Sequence, residues 1–233
     1  MDIQGNKVLI TGGSAGIGRA TAAALVSRGC KVVINGRNED SLKAAASEIG
    51  CGYISGDVSD EADAKHIVSD TVKQLGGIDV LVNNAGFGRF AGLLELEAHD
   101  METVWRTNVL GAMFMAREVA KHLVEQRSGT IINIASTAGT KGFSGGTAYA
   151  SSKFALRGMT ECWREELRRQ DVRVVLINPS EVITEFASRA GFTQEASEKK
   201  LQAEDIALTV VSVLEMDPRA LVTEMTVIAT NPF

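Results

Sequence analysis

Tyr149 and Lys153, in the stretch YASSK, hold a phenol and an ammonium four residues apart, on one face if the chain there is helical. A tyrosine with an ordinary pKa of about 10 is a usable acid and a poor base near neutrality. A neighbouring cation favours the phenolate by Coulomb attraction, so the pair can release a proton in one direction of a reaction and recover it in the other. Taken alone, the spacing reads as a snorkelled surface pair, the usual state of long charged side chains. Ser136, thirteen positions before the tyrosine, and a glycine-rich loop far upstream turn the balance towards chemistry.

That loop, TGGSAGIG at Thr11 to Gly18, follows the apolar run KVLIT and leads into the helical sequence RATAAALVSRG. Gly12, Gly16 and Gly18 let the backbone turn sharply, approach a ligand and bring the helix close to the sheet; Ser14 and Ile17 belong to the same loop. Free N–H groups at the helix start then favour a pyrophosphate, making the loop a candidate dinucleotide site. The spacing is not GxGxxG, and a tight strand-to-helix turn is the plainer alternative; the strand and helix on either side favour the ligand. Where NAD-binding units carry an acid at the end of the second strand, this chain reads INGR, with Gly36 and then Arg37. A guanidinium can grip a 2′-phosphate through paired, charge-assisted hydrogen bonds. NADP(H) is the favoured cofactor and NAD(H) the other possibility, while a solvated loop cation is the plain reading of Arg37.

Several elements must position these residues. Short apolar runs recur as KVLIT, KVVIN, GYIS, DVLVN, TIINIA, VRVVLIN and MTVIA, each resembling a strand buried on both faces. Segments of helical spacing lie between most of them, which predicts βαβ units and a largely parallel sheet. Val104 to Gln126 and Tyr149 to Arg168 are the longest helical readings. The second carries Phe154, Leu156, Met159, Cys162, Trp163 and Leu167, more apolar surface than one sheet face needs, and predicts a subunit interface.

At 233 residues, with 45% apolar and 23% charged residues and only 3 prolines, the chain suits one packed domain over 1–233. With 24 basic and 29 acidic residues the net charge is −5, which opposes non-specific attraction to nucleic acid or anionic lipid. Neither partner is expected. Cys30, Cys51 and Cys162 are odd in number and lack CxxC spacing, so reduced, buried thiols are expected. His66, His99 and His122 lack a GxSxG or HExxH context and read as surface helix residues, with no catalytic metal. No export signal is visible and no apolar stretch approaches the roughly 20 residues of a membrane span, so a cytoplasmic location is expected.

Together these residues resemble the single-domain branch of the short-chain dehydrogenase/reductase family. TGGSAGIG is similar to its TGxxxGxG loop, NNAG at Asn83 to Gly86 to its signature after the fourth strand, and YASSK to its YxxxK motif. Asn108 in RTNVLG and Ser136 in NIASTAG match its catalytic asparagine and serine, and the five features follow the family's order along nearly the whole chain.

The resemblance implies a Rossmann-type, doubly wound α/β fold: a mainly parallel seven-stranded sheet with helices on both faces. It implies that Asp57 and Val58 lie near the adenine, that Asn84, Ala85 and Gly86 run along the cofactor, and that the two long helices make the contacts of a homo-oligomer, tetramer or dimer. The implied reaction interconverts a small-molecule carbonyl and a secondary alcohol by hydride transfer. In it Tyr149 is the acid and base, Ser136 holds the carbonyl oxygen, Lys153 binds the nicotinamide ribose and Asn108 orders a relay water. An epimerase or dehydratase using the same cofactor is the rival, and a dinucleotide-sensing binding protein a third reading, against which the intact four-residue set argues.

After the sixth strand the chain reads INPSEVITEF, with Ser180 where the family often has glycine; Pro179 and Thr184 keep their expected places beside the cofactor. Residues 185–200 occupy the position of the family's substrate lid. Glu181, Phe186 and Phe192 are expected to line a pocket with Phe87, Phe90 and Phe143, suggesting an apolar or ring-bearing substrate, although ordinary packing explains such residues as well. Arg89 and Lys141 are candidate anion contacts, with solvated loop charges the plainer reading. The ending ALVTEMTVIATNPF lacks the family's frequent Gly-Gly pair. It resembles a subgroup of NADP-dependent reductases and hydroxy-acid dehydrogenases, which weakens an assignment as 3-oxoacyl carrier-protein reductase.

Overall fold

The structure, a computed structural model, describes residues 2–193 and 197–232. In chain order the strands are β1 (Lys7–Thr11), β2 (Lys31–Gly36), β3 (Gly52–Ser55), β4 (Val80–Asn83), β5 (Gly129–Ile134), β6 (Val172–Pro179), β7 (Val182–Ile183), β8 (Leu201–Gln202) and β9 (Glu224–Val227). Seven of them form one sheet in the order β3-β2-β1-β4-β5-β6-β9, and each neighbouring pair is parallel. The seven apolar runs of the sequence are these seven strands. The short β7–β8 pair lies apart and ties together the two ends of the excursion between Thr184 and Lys200.

The period-two alternation of each strand sorts its side chains into two cores. Val8, Ile10, Val32, Ile34, Val80 and Val82 join one, Leu9, Val33, Leu81, Ile131 and Val174 the other. The first is covered by α1 (Gly16–Val26), α2 (Glu39–Ile49) and α8 (Ala203–Glu215), through residues such as Leu25, Leu42 and Val210. The second is covered by α3 (Glu61–Leu75) and α5 (Ala112–Gln126), through Ile67, Met115, Val119 and Leu123, with Trp163 and Leu167 of α6 (Thr147–Leu167) packed on it. Helices on both faces make the fold doubly wound, and β1, flanked by β2 and β4, is where the strand order turns outward in both directions. The loops that leave β1 and β4 therefore part and open a crevice at the carboxyl ends of the strands.

Both long helices differ from their sequence outlines. The first begins earlier, at α4 (Ala98–Trp105), and passes through a π-helical turn at Arg106–Gly111 before α5. Such a turn is a local widening, common where a residue must be re-aimed at a site, and here it carries Asn108. Of the six apolar residues of α6, Leu156 is buried and Met159, Trp163 and Leu167 are half-buried, so the excess surface shrinks to Phe154 and Cys162. No helix among the described residues is long and apolar enough to cross a membrane.

The edge strand β9 is fastened from α6. Arg157 forks onto Glu224 with both contacts at 2.8 Å, Asn178 of β6 donates to the same carboxylate at 2.6 Å, and Arg164 donates to the Thr223 and Val174 carbonyls. Bidentate, part-buried pairing of this kind makes each partner costly to remove. Glu224→Ala is expected to destabilise the protein by about 1–3 kcal/mol, seen as a lower urea midpoint at unchanged slope. A change under about 0.5 kcal/mol, the scale of ordinary surface substitutions, would show that the fork contributes nothing to the edge.

Candidate active site

The glycine loop is built by close approach. A Cβ on Gly18 would lie 2.4 Å from the Gly12 carbonyl oxygen, and Gly16, at φ +51°, faces the Thr184 side chain across the crevice, 3.2 Å from where its own Cβ would stand. Helix α1 has no side-chain cap and no acid in its first turn. By contrast α2 is capped by Asn38 and α3 by Asp60, each with two acids in the first turn. The N–H groups at the start of α1 are thus left to an anion, and a dinucleotide phosphate fits that donor set.

Thr11, not singled out from the sequence, ties this loop to the one after β4. Its hydroxyl oxygen accepts from the Asn84 and Ala85 N–H groups at 3.0 Å each, while the Asn84 amide donates to the Thr11 and Gly12 carbonyls. Its sequence signals were its place as the last strand residue before the glycines and as the first position of the TGxxxGxG match.

At the outer end of the crevice, Ser14 Oγ lies 3.8 Å from where a Cβ on Gly36 would stand, and the exposed Arg37 reaches to 3.7 Å from an Asp57 carboxylate oxygen. Asp57 is itself fixed, its N–H donating to Asp63 and its carboxylate accepting from Ser59. Val58 is buried beside Gly111.

Inward from there opens a cavity of about 1030 Å³. Gly12, Gly16 and Ile17 form part of its wall, with Asn84, Ala85 and Gly86 opposite; Ser136, Tyr149, Lys153, Pro179 and Thr184 complete the inner end. Ser14, Gly18, Arg37, Asp57, Val58 and Asn108 stand outside that wall.

The electrostatics of the phenol and ammonium differ from the sequence expectation. Burial pushes the Tyr149 phenol up to about 12, opposed only by a hydrogen bond from the Ser136 hydroxyl. Burial pushes Lys153 down to about 8; its Nζ donates to the Ile134 carbonyl at 3.0 Å and lies 5.7 Å from the centre of the Tyr149 ring. Desolvation therefore outweighs the attraction that was expected to favour the phenolate. Asn108 has a further task. Its side-chain oxygen accepts from the Phe87 N–H, and its amide donates to the Phe87 carbonyl and to Ser152, so the side chain holds the β4 loop against α6.

The six residues expected around the substrate, Phe87, Phe90, Phe143, Glu181, Phe186 and Phe192, all line the cavity, as does Lys141. Arg89 does not; it lies 3.7 Å from Asp100, away from the wall. Of the excursion at 185–200, residues 194–196 lie outside the described residues.

Comparison with known proteins decides the family: the model of the short chain dehydrogenase family matches residues 6–195. The chain belongs to the short-chain dehydrogenase/reductase family. It is 33% identical over 214 residues to the 3-oxoacyl-(acyl-carrier-protein) reductase of Bos taurus, covering 88% of this chain and 90% of the relative. Among solved structures it superposes with a TM-score of 0.88 and 27% identity on an alcohol dehydrogenase from the archaeon Thermococcus sibiricus complexed with 5-hydroxy-NADP, covering 96% of this chain and 97% of that one. The closed form of serine dehydrogenase complexed with NADP+ gives a TM-score of 0.88 at 30% identity, covering 94% and 93%.

Against the family pattern, Ser180 in place of glycine carries no backbone strain. Among the described non-glycine residues only Arg127 and Asp171 have positive φ, and the Ser180 N–H is anchored to the Val227 carbonyl at 2.8 Å. The three cysteines are all free, but only Cys30 is buried; Cys51 is half-buried and Cys162 exposed, because α6 turns that face to solvent. His66 and His99 are exposed on helices and His122 is half-buried on α5.

Lys153 links this site to stability. Its folded pKa lies below its unfolded value, so between about 8 and 10.5 the unfolded chain binds the extra proton and stability rises with pH; below 8 the whole cost of burying the cation is present. Lys153→Met is expected to raise stability at pH 7, by up to the order of 3 kcal/mol, with the gain fading as pH climbs through that window. Thermal unfolding from pH 6 to 10.5 checks this, and a gain independent of pH would point to packing instead.

Proposed function

We propose that this family member is an NADP(H)-dependent oxidoreductase that interconverts a carbonyl and a secondary alcohol, with Tyr149 as the proton donor. The observation that carries the reading is the convergence of Ser136, Tyr149 and Lys153 on one cavity whose wall continues into the glycine loop. With its pKa pushed up, Tyr149 is protonated throughout the neutral range and poised as an acid, which suits reduction. Bound nicotinamide cofactor supplies the hydride for that reduction. The Ser136 hydroxyl donates to the carbonyl oxygen as charge develops on it, and the Tyr149 phenol delivers its proton to the same atom to complete the alcohol. Lys153, buried and held by the Ile134 carbonyl, is placed to donate to ribose hydroxyls and to stabilise the phenolate left behind.

Preference for NADP(H) rests on Ser14, Gly36 and Arg37 standing together with no acid at the end of β2, and on the NADP ligands of the two structural neighbours. The same reading takes residues 1–233 as one domain with its lid at 185–200, working as a cytoplasmic homo-oligomer. Phe154 and Leu110, 45% and 39% exposed on the two long helical stretches, support the association.

Steady-state kinetics with both cofactors over a carbonyl panel test this. Arg37→Ala is expected to raise KM for NADPH about tenfold while leaving NADH unchanged, since one charge-assisted contact is lost. Tyr149→Phe is expected to lower kcat by about 10²–10⁴ with NADPH still bound. Unchanged cofactor preference would overturn the NADP(H) assignment, and product formed at constant 340 nm absorbance would favour the epimerase or dehydratase rival.

A further inference from the structure

We propose that the substrate is an uncharged ketone, or the matching alcohol, with an aromatic ring bonded at or next to the carbonyl carbon. This rests on the carbonyl-reductase reading of the site and goes beyond it. Phe90 is the centre of an aromatic wall, its ring centroid 5.9 Å from Phe143, 5.6 Å from Tyr149, 6.5 Å from Phe186 and 5.6 Å from Phe192. Phe186 stands 5.4 Å from Tyr149 on its other side.

The interplanar angles of Phe90 with Tyr149, Phe186 and Phe192, 62°, 70° and 74°, are edge-to-face. Two glycines set the orientation of these rings. A Cβ on Gly88 would lie 2.7 Å from the tip of Phe90 and 3.1 Å from Phe186, and one on Gly146 would lie 2.7–2.8 Å from three atoms of the Phe143 ring. The wall is not a sealed core, for Phe143 and Phe192 remain 51% and 44% exposed. Oriented rings with open edges and faces select another ring, by about 0.5–1.5 kcal/mol per pair beyond the area buried. Because two of them flank the Tyr149 ring at under 6 Å, the ring they select sits within one ring's breadth of the phenol.

The polar lining argues against a carrier-linked or phosphate-bearing substrate. Among the described side chains no arginine lines the cavity, and the charged ones there are Lys141, Lys153, Glu181 and Glu185. Lys153 donates to the Ile134 carbonyl at 3.0 Å and is assigned to the cofactor in the proposed reaction, and Glu181 pairs with Lys200 at 2.9 Å.

The test compares acetophenone with 2-octanone, which has the same number of carbons, as NADPH-dependent substrates. The expected result is a kcat/KM at least tenfold higher for acetophenone. In Phe90→Ala, and in the more exposed Phe143→Ala, the acetophenone to 2-octanone ratio is expected to fall about threefold or more. A ratio at or below one, or one untouched by either substitution, would overturn the ring assignment and leave the reductase reading standing. Thermal shifts with NADP+ separate the remaining cases. If neither ketone is reduced but 1-phenylethanol raises Tm more than 2-octanol, and Phe90→Ala removes the difference, the ring site stands and the reaction does not; equal shifts with no turnover would sink both.

Discussion

No side chain fits between the start of α1 and the loop that leads into it. With Gly18 set against the Gly12 carbonyl, the helix is pressed onto the ends of β1 and β4, and the first-turn N–H groups are delivered to the crevice instead of being capped. The hydrogen bonds of Thr11 and Asn84 then lock the loop after β4 to the loop after β1. The inner half of the site follows from that lock, because Gly86 and Phe87, the next residues along, are what Asn108 and Lys153 pack against. A Cβ on Gly86 would stand 3.0 Å from the Asn108 amide oxygen and 3.7 Å from Lys153 Nζ. One close contact thus propagates from the phosphate end to the phenol.

The inner end is held by buried polar groups whose desolvation the rest of the fold must offset. Lys153 is 5% exposed, with a single carbonyl acceptor, and Asn83 and Asn178 each carry a buried side-chain oxygen lacking a partner among the described residues. Asn83 donates to Asn133, which donates to Thr160, so a polar chain crosses from β4 through β5 to α6 in a layer that is otherwise apolar. Such a chain costs desolvation and returns register, since any slip of α6 along the sheet would break it. Tyr149 and Lys153 lie on the same helix, about three and two turns before Thr160, and inherit that register.

The strands were legible because each is a short apolar run bounded by glycine or polar residues, a signal carried by composition alone. The catalytic-end residues were legible because four chemically unlike side chains stood at family spacing. What escaped reading depends on distances between elements. No spacing reveals that Asn108 spends its side chain on Phe87 and Ser152, since that follows from a π turn whose widening has no sequence code. The sign of the Tyr149 shift escaped for a similar reason: an ammonium four residues away is visible in a sequence, whereas the desolvation that outweighs it is set by the whole cavity. Thr11 was read only as the opening residue of the glycine motif, its tie to the β4 loop unseen, while Arg89, for which a solvated charge was the plainer reading, lies beside Asp100 and off the cavity wall.

The two ends of the crevice solve recognition by different physics. The outer end is built by removing side chains, which leaves the first-turn N–H groups of α1 uncapped beside the glycine loop, with the exposed Arg37 guanidinium at the far end. The inner end works by adding large rigid side chains, so that shape and ring edges discriminate where few free charges remain. These demands fall on different parts of the chain: glycines and strand ends fix the first, while Phe186 and Phe192 of the second lie on the excursion tied off by β7 and β8. The aromatic wall is thereby shared between the sheet-anchored β4 loop, which carries Phe90, and an excursion tied at its ends by β7 and β8 whose Phe186 and Phe192 pack back onto Phe90. Substitutions in that segment can remodel what the inner end accepts without disturbing the contact at Gly18 on which the crevice depends.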